Sequence, residues 1–216
     1  MATSTYLLKP TQIPPELWEK WYIHERLPDL VNSKSAVRAT FYKEIAEPTP
    51  PGDHPRKCLA LYQTKFEECL KTKNYTDLRT TSELFEAKGG ANSNGIQDNG
   101  DFDARCYELI QEYDPNGVGE ISSPLITAVY ITPADPEDMD VWYCEEHLAM
   151  LSEIPGYQCT LHYRIGRETG LNKSEPENFL ALHAFESIEK ARESKEYGAC
   201  WTTAWTKKQL SECKAF

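Results

Sequence analysis

Two rhythms of apolar and polar residues alternate along this chain of 216 residues. A period of two marks strands. It runs through Thr5–Leu8, Arg105–Tyr113, Ile126–Thr132, Tyr157–Ile165 and Asn178–Phe185, each rich in β-branched or aromatic residues. A helical period marks the stretch after Thr132. At about 100° per residue, Met139, Tyr143, Met150, Leu151 and Ile154 fall on one stripe, and His147 falls inside it. The start of that helix is written in Asp135-Pro136-Glu137-Asp138: a capping carboxylate, a proline at the first helical position, and acids in the first turn. Its stop is Pro155-Gly156. Lys/Glu-rich second helices are expected near Phe66–Lys73 and Ser187–Lys195.

The pattern is written twice. WYIHERLPDL (Trp21 to Leu30) and WYCEEHLAML (Trp142 to Leu151) agree at five of ten positions, at an offset of 121 residues. The same offset sets Leu59-Ala60-Leu61-Tyr62 on Leu180-Ala181-Leu182-His183, and Phe41-Tyr42 on His162-Tyr163. One residue of slippage pairs Thr80-Thr81 with Thr202-Thr203, and upstream TYLLKP pairs with AVYITP. A colinear match through five blocks reads as an internal duplication. Each copy then has the order β-α-β-β-α-β, the ferredoxin-like unit. One such unit covers only one face of its sheet with helices. Burying the other face calls for a second sheet. The expected fold is therefore α+β, with two ferredoxin-like repeats packing sheet to sheet as an intramolecular pseudo-dimer. The first repeat spans residues 1–115, with a Gly/Asn-rich loop over 87–103. The second spans 116–216, with its final strand short, missing or replaced.

Composition narrows the partners. The net charge is −11, and no cluster of Lys and Arg exists to hold a phosphate backbone, so nucleic acid and anionic membrane are excluded. No apolar run is long enough to be a signal peptide or to span a bilayer. Seven cysteines without a Cys-x-x-Cys read as free thiols in a reducing cytosol, and no structural zinc site is expected. Twelve Tyr and five Trp are generous for a chain this size and suit a small-molecule pocket. Gly-rich dinucleotide loops, phosphate-binding loops and nucleophile elbows are absent.

Trp142-Tyr143-x-x-Glu146-His147-Leu148, then Pro155-Gly156-Tyr157, Tyr163 and Phe179-Leu180-Ala181-Leu182-His183, resemble the EthD-like branch of the dimeric α+β barrel superfamily, and more narrowly its tandem fungal proteins. The resemblance covers most of the chain. The first copy departs from it, with Glu25-Arg26 for Glu-His and no Pro-Gly. It implies small-molecule chemistry. Relatives include cofactor-free cyclases, decarboxylases, isomerases, quinone-forming monooxygenases, haem-binding proteins and proteins without known activity.

The candidate chemistry lies in the histidines. Along FLALHAF, alternation sets Leu180, Leu182 and Ala184 on one face, and Phe179, Ala181, His183 and Phe185 on the other. The leucines are expected under the helices. The second set is expected on the barrel face, where it composes a pocket for a flat apolar ligand with one polar handle. His183 and His147 are the candidate acid–base pair. Tyr130, Phe179, Phe185, Tyr62, His162 and Trp142 are candidate substrate contacts. His162 and Arg164 read as solvent-facing on β alternation; the reversed face would bring His162 into the pocket. Arg26 in the first copy replaces His147, and a basic group on a buried helix face calls for a partner or a cavity. The resulting expectation is a cytoplasmic, cofactor-independent lyase, cyclase, isomerase, decarboxylase or pericyclic catalyst. It would act on a phenolic or polyketide-like molecule in secondary metabolism, with no metal and no cofactor. A non-catalytic small-molecule or haem-binding protein is the alternative. A further homodimer stays open.

Overall fold

The structure, a computed structural model, describes residues 2–45, 54–65, 69–86, 95–119, 123–166, 169–171, 173, 175 and 177–214. The chain divides into two compact units. The first holds Met1–Glu108 and Gly166–Pro176; the second holds Leu109–Ile165 and Glu177–Phe216.

The first unit begins with strand β1 (Ala2–Pro10), followed by helix α1 (Pro15–Trp21), a π-helical turn (Tyr22–Arg26) and helix α2 (Leu27–Asn32). Pro15 opens α1, where a missing N–H costs nothing, and Glu16 sits in its first turn. Strands β2 (Arg38–Lys43) and β3 (Cys58–Thr64) follow, then short helices α3 (Lys73–Thr76), α4 (Glu83–Glu86) and α5 (Ile96–Asn99), then strand β4, which starts at Gly100 and runs to Tyr113. The sheet order is β2-β3-β1-β4 with every pairing antiparallel, the ferredoxin-like order. The Gly/Asn-rich loop expected over 87–103 folds from residue 95 onward, into α5 and the start of β4; residues 87–94 lie outside the described residues. Trp18, Trp21 and Tyr22, spaced as one helix face, bury against Tyr6, Leu8, Ala60, Tyr62 and Ala104 of the sheet. Each large side chain so buried contributes roughly 1.5–3 kcal/mol.

The second unit runs β5 (Leu125–Ile131), α6 (Pro136–Trp142), a second π-helical turn (Tyr143–His147), α7 (Leu148–Ser152), β6 (Tyr157–Ile165), β7 (Phe179–Phe185), α8 (Ile188–Arg192), α9 (Lys195–Cys200) and α10 (Ala204–Glu212). Asp135 caps α6 as its position suggests, accepting from the N–H groups of Glu137 and Asp138. Gly156 takes φ of +83° between helix and strand, a conformation open to glycine. β7 pairs antiparallel with β5 and β6. Among the described residues no strand follows β7; three helices follow instead, and Lys214 N–H reaches Thr132 O at 2.8 Å just past β5.

The faces of β7 are the reverse of the sequence expectation. Phe179, Ala181 and Phe185 pack with Met139, Trp142, Tyr143 and Leu148, so this set and His183 lie under the helices, and the leucines lie on the opposite face. All seven residues of β7 are buried. A strand buried on both faces carries no polar side to tell one face from the other. The same inversion overturns the solvent-facing reading of His162, which is only 1% exposed. No helix among the described residues is long and apolar enough to cross a membrane.

Gly100 sits close against two aromatic rings in the first unit. A Cβ there would lie 2.4 Å from the Trp18 ring and 2.8 Å from Phe102. Gly100→Ala is therefore expected to destabilise the chain by about 1–3 kcal/mol. It should appear as a lower urea midpoint, while Gly198→Ala in α9, where an added Cβ meets nothing within 4 Å, should not lower it. Equal midpoints for wild type and Gly100→Ala would refute this account of the core.

Candidate functional site

The two π-helical turns position the chemistry. Each closes on an i→i+5 backbone bond: Leu27 N–H to Tyr22 O, and Leu148 N–H to Tyr143 O. In a regular α-helix residues five apart lie about 140° apart around the axis. The wider turn absorbs one extra residue and returns the side chain to the same face. In consequence Trp142 and His147, five apart, stack with ring centroids 4.1 Å apart. Nothing in the residue pattern signals this, because hydrophobic periodicity is read at helical spacing.

In the second unit His147 descends from the π-turn onto the sheet, where β6 presents Thr160 and His162 and β7 presents His183 on the same face. The Tyr143 ring stacks on His162 at 4.2 Å and lies 6.4 Å from His183. His147 is 6.0 Å from His183 and 6.2 Å from Trp201. Phe179 also stacks with His162, at 5.5 Å. All three histidines are buried. Burial pushes His147 down to about 3, with repulsion from His162 second; it pushes His162 down to about 4, with Arg164 second. His183 is held well below its ordinary value, again by burial first and then by His147 and His162. All three rings are therefore neutral near pH 7.

One histidine is oriented by a chain of hydroxyls. Tyr157 donates to Thr160 Oγ1 at 2.7 Å, and Thr160 Oγ1 lies 2.9 Å from His183 Nδ1. This chain of hydroxyls fixes the orientation of the His183 ring through Nδ1. The other two rings are incompletely satisfied. Among the described residues, His147 Nδ1, His162 Nε2 and the Trp142 indole N–H are buried without a hydrogen-bond partner. Each such group costs about 1–3 kcal/mol.

The first unit repeats the arrangement with other residues. At the offset of 121, Tyr22 stands for Tyr143, Arg26 for His147, Phe41 for His162 and Tyr62 for His183. The contacts correspond as well. Tyr22 stacks on Phe41 at 4.6 Å, as Tyr143 stacks on His162. Trp21 meets Tyr22 edge-on at 4.7 Å, as Trp142 meets Tyr143 at 5.0 Å. The Arg26 guanidinium lies 5.9 Å from the Tyr62 ring centre. Here the sheet is less full. Tyr6 is flanked by Ala60 and Ala104, and Tyr62 by Ser4 and Ala39. Small residues beside large ones leave a cavity of about 140 Å³, walled by Tyr6, Trp21, Tyr22, Arg26, Tyr62 and Tyr75. Thr76, Thr80 and Gln97 stand at its exposed edge.

Of the residues singled out in the sequence, His147, His162, His183, Trp142 and Phe179 come together in one ring cluster. Phe185 sits at its margin, 5.7 Å from Tyr157. Tyr62 lies in the first unit, on the wall of the cavity. Tyr130 does not join them: it pairs with Leu180, whereas Thr127 pairs with His183, so Tyr130 occupies the opposite face of the sheet. Tyr143, Tyr157 and Thr160 were missed. The Tyr143 position was legible from the repeated Trp-Tyr pair; Thr160 depended on strand register. Among the described residues no group of three or more His, Cys, Asp and Glu is arranged to hold a metal ion.

No protein-family model matches the chain. No curated protein is similar to it. Among solved structures, the fold resembles an anthrone oxidase-like protein at 14% identity and a TM-score of 0.52, over 92% of this chain and 82% of that one. Weaker likenesses are to a proposed monooxygenase from Fusobacterium nucleatum (11% identity, TM-score 0.45, 97% and 84% covered) and to a heme-degrading enzyme from Listeria monocytogenes (9%, 0.41, 96% and 87%). The first likeness is one of fold alone: an antiparallel sheet with helices, an α+β architecture.

The depressed histidines tie stability to pH. The unfolded chain takes up protons below about 6.5, whereas folded His162 and His147 wait until about 4 and about 3. Stability is thus complete above about pH 6.5 and is lost as the pH falls, by up to about 1.4 kcal/mol per pH unit for each ring. Urea unfolding between pH 7 and pH 5 should show this slope, and His162→Phe should reduce it by one ring's share. An unchanged slope in the variant would mean that His162 titrates normally in the folded protein.

Proposed function

We propose that the chain is a cofactor-independent enzyme of the lyase, cyclase, isomerase, decarboxylase or pericyclic type, acting on a phenolic or polyketide-like small molecule at the histidine cluster of the second unit. The observation that carries the reading is the set of unsatisfied groups in one aromatic layer: His147 Nδ1, His162 Nε2 and the Trp142 indole N–H. Three buried polar atoms kept without partners are costly for a fold that needs only packing there. A flat ligand with oxygen substituents, admitted between these packed rings, would satisfy them. A neutral His183 with its proton on Nε2 donates a hydrogen bond to a substrate carbonyl or phenol oxygen. A neutral His147 accepts a proton through Nδ1 from the carbon or oxygen being activated, then returns it elsewhere on the same molecule. As that proton moves, the substrate becomes an anion beside the new imidazolium, and their attraction offsets part of the desolvation that holds the ring neutral. Trp142, Phe179 and Tyr143 orient the ring system. At neutral pH the histidines start as acceptors, so the first proton moves from substrate to protein.

The finer descent is part of the same proposal: a tandem EthD-like protein of the fungal type, with repeats over 1–115 and 116–216. What supports it is the β-α-β-β order in both units, the π-turn at the same offset, and the matched ring contacts of Tyr22 with Phe41 and Tyr143 with His162.

The test is turnover of a panel of phenolic acids and polyketide intermediates, followed by product mass. His147→Phe and His183→Phe should each lower turnover by about 100-fold or more with the near-ultraviolet spectrum intact. Tyr130→Phe, on the far face of the sheet, should leave it unchanged. Binding of the panel without turnover, or a Soret band on adding haem, would replace the enzyme reading with the non-catalytic one.

A further inference from the structure

The first unit pairs a permanent cation with a one-ring cavity. Arg26 ends the π-turn, and its guanidinium is always protonated, with five N–H donors. One of them reaches the Tyr75 hydroxyl at 3.1 Å, and the group lies 5.2 Å from the Tyr75 ring centre. The chain has 34 carboxylate side chains against 23 Lys and Arg. Even so, among the described residues no carboxylate lies in ion-pair range of Arg26, while the nearby exposed Arg79 contacts both Glu25 and Asp29. Burial disfavours the charge, and the phenols of Tyr62, Tyr75 and Tyr22 offset it, so that the net shift is upward. Tyr6 and Tyr22 are held well above their ordinary value by burial and stay protonated. A half-buried guanidinium with no carboxylate in range among the described residues is an incomplete ion pair.

The cavity supplies the missing shape. Its volume is about 140 Å³; an apolar protein cavity of about 150 Å³ takes up a benzene ring. Its walls are aromatic, and hydroxyls gather near the cation: Tyr6 and Tyr75 lie 2.6 Å apart, and Tyr62 donates to Tyr22 at 3.5 Å. The exposed edge at Thr76, Thr80 and Gln97 is polar and uncharged, so it does not repel an entering anion.

We propose that this cavity is a binding site for a single-ring aryl carboxylate, with the carboxylate on Arg26 and the tyrosine hydroxyls and the ring between Trp21, Tyr6 and Tyr62. A planar carboxylate matches the guanidinium fork, and a flat ring matches the slot. The site is separate from the histidine cluster and does not depend on its being catalytic. It gives the first unit a ligand of its own, in the place where the duplication put Arg26 instead of His147.

The full chain is titrated calorimetrically with benzoate, and with benzamide as its neutral counterpart. Benzoate should bind, with benzamide weaker by about tenfold or more. Arg26→Gln should weaken benzoate by about tenfold or more and bring it close to benzamide. Tyr75→Phe, which keeps the ring at a half-buried position, should weaken benzoate several-fold without changing benzamide, so the inference is tested even if Arg26→Gln fails to fold. No benzoate binding to the folded wild type, equal affinity for benzoate and benzamide, or full affinity in Tyr75→Phe together with Arg26→Gln would overturn it.

Discussion

The i→i+5 bond in the first helix of each unit sets everything beneath it. Leu27 N–H to Tyr22 O and Leu148 N–H to Tyr143 O each widen one turn, so that the residue five after the tryptophan returns to the sheet side. Without that turn His147 could not stack on Trp142 at 4.1 Å, because residues five apart in a regular helix diverge around its axis. A basic side chain is thereby driven into an aromatic layer. The rest of each unit answers that intrusion. The second unit answers with neutral imidazoles and a hydroxyl chain. The first answers with tyrosines and empty space.

The two answers follow from the residues on the sheet below. In the second unit Thr160, His162 and His183 fill the layer under the helix, and the rings pack against one another. At the matching positions the first unit has Ala39, Phe41 and Tyr62, with Ala60 and Ala104 on either side of Tyr6. One large ring beside two methyl groups cannot fill its row, and the cavity is what remains. The scaffold is the same in both units, and a few side-chain volumes decide whether it closes.

Much of this was open to reading, and the failures have physical causes. Strand β6 was legible to the residue, and Asp135 and Gly156 marked the ends of a helical segment, because capping and left-handed turns have local chemistry. The correspondence of the helices that follow β1 and β5 was legible because Trp21-Tyr22 and Trp142-Tyr143 are rare residues at a fixed offset. The faces of β7 were not. Phe179–Phe185 is buried on both sides, and alternation tells two faces apart only when one of them meets water. The π-turns were invisible, since one added residue in a helix leaves the apolar pattern nearly intact. The cavity was invisible too. It arises from Ala60 and Ala104 lying opposite Tyr6, and register across three strands is not a property of any one of them.

Arginine and histidine at the end of the same turn are not equivalent in what they permit. Arg26 cannot give up its proton, so in the first unit the charge is constant, and the natural complement is a stable anion. His147, His162 and His183 are held neutral by burial, so the second unit carries no charge until a proton arrives, and what it can exchange is that proton. The costs differ in kind as well. The first unit holds a half-buried cation that has hydroxyl partners but, among the described residues, no carboxylate. The second unit carries unsatisfied nitrogens, and its fold weakens as the solution acidifies. With histidine at both positions the two units would be alike in kind. The difference between Arg26 and His147 sets a fixed charge against a neutral ring, and it does so without moving the backbone turn that presents either group.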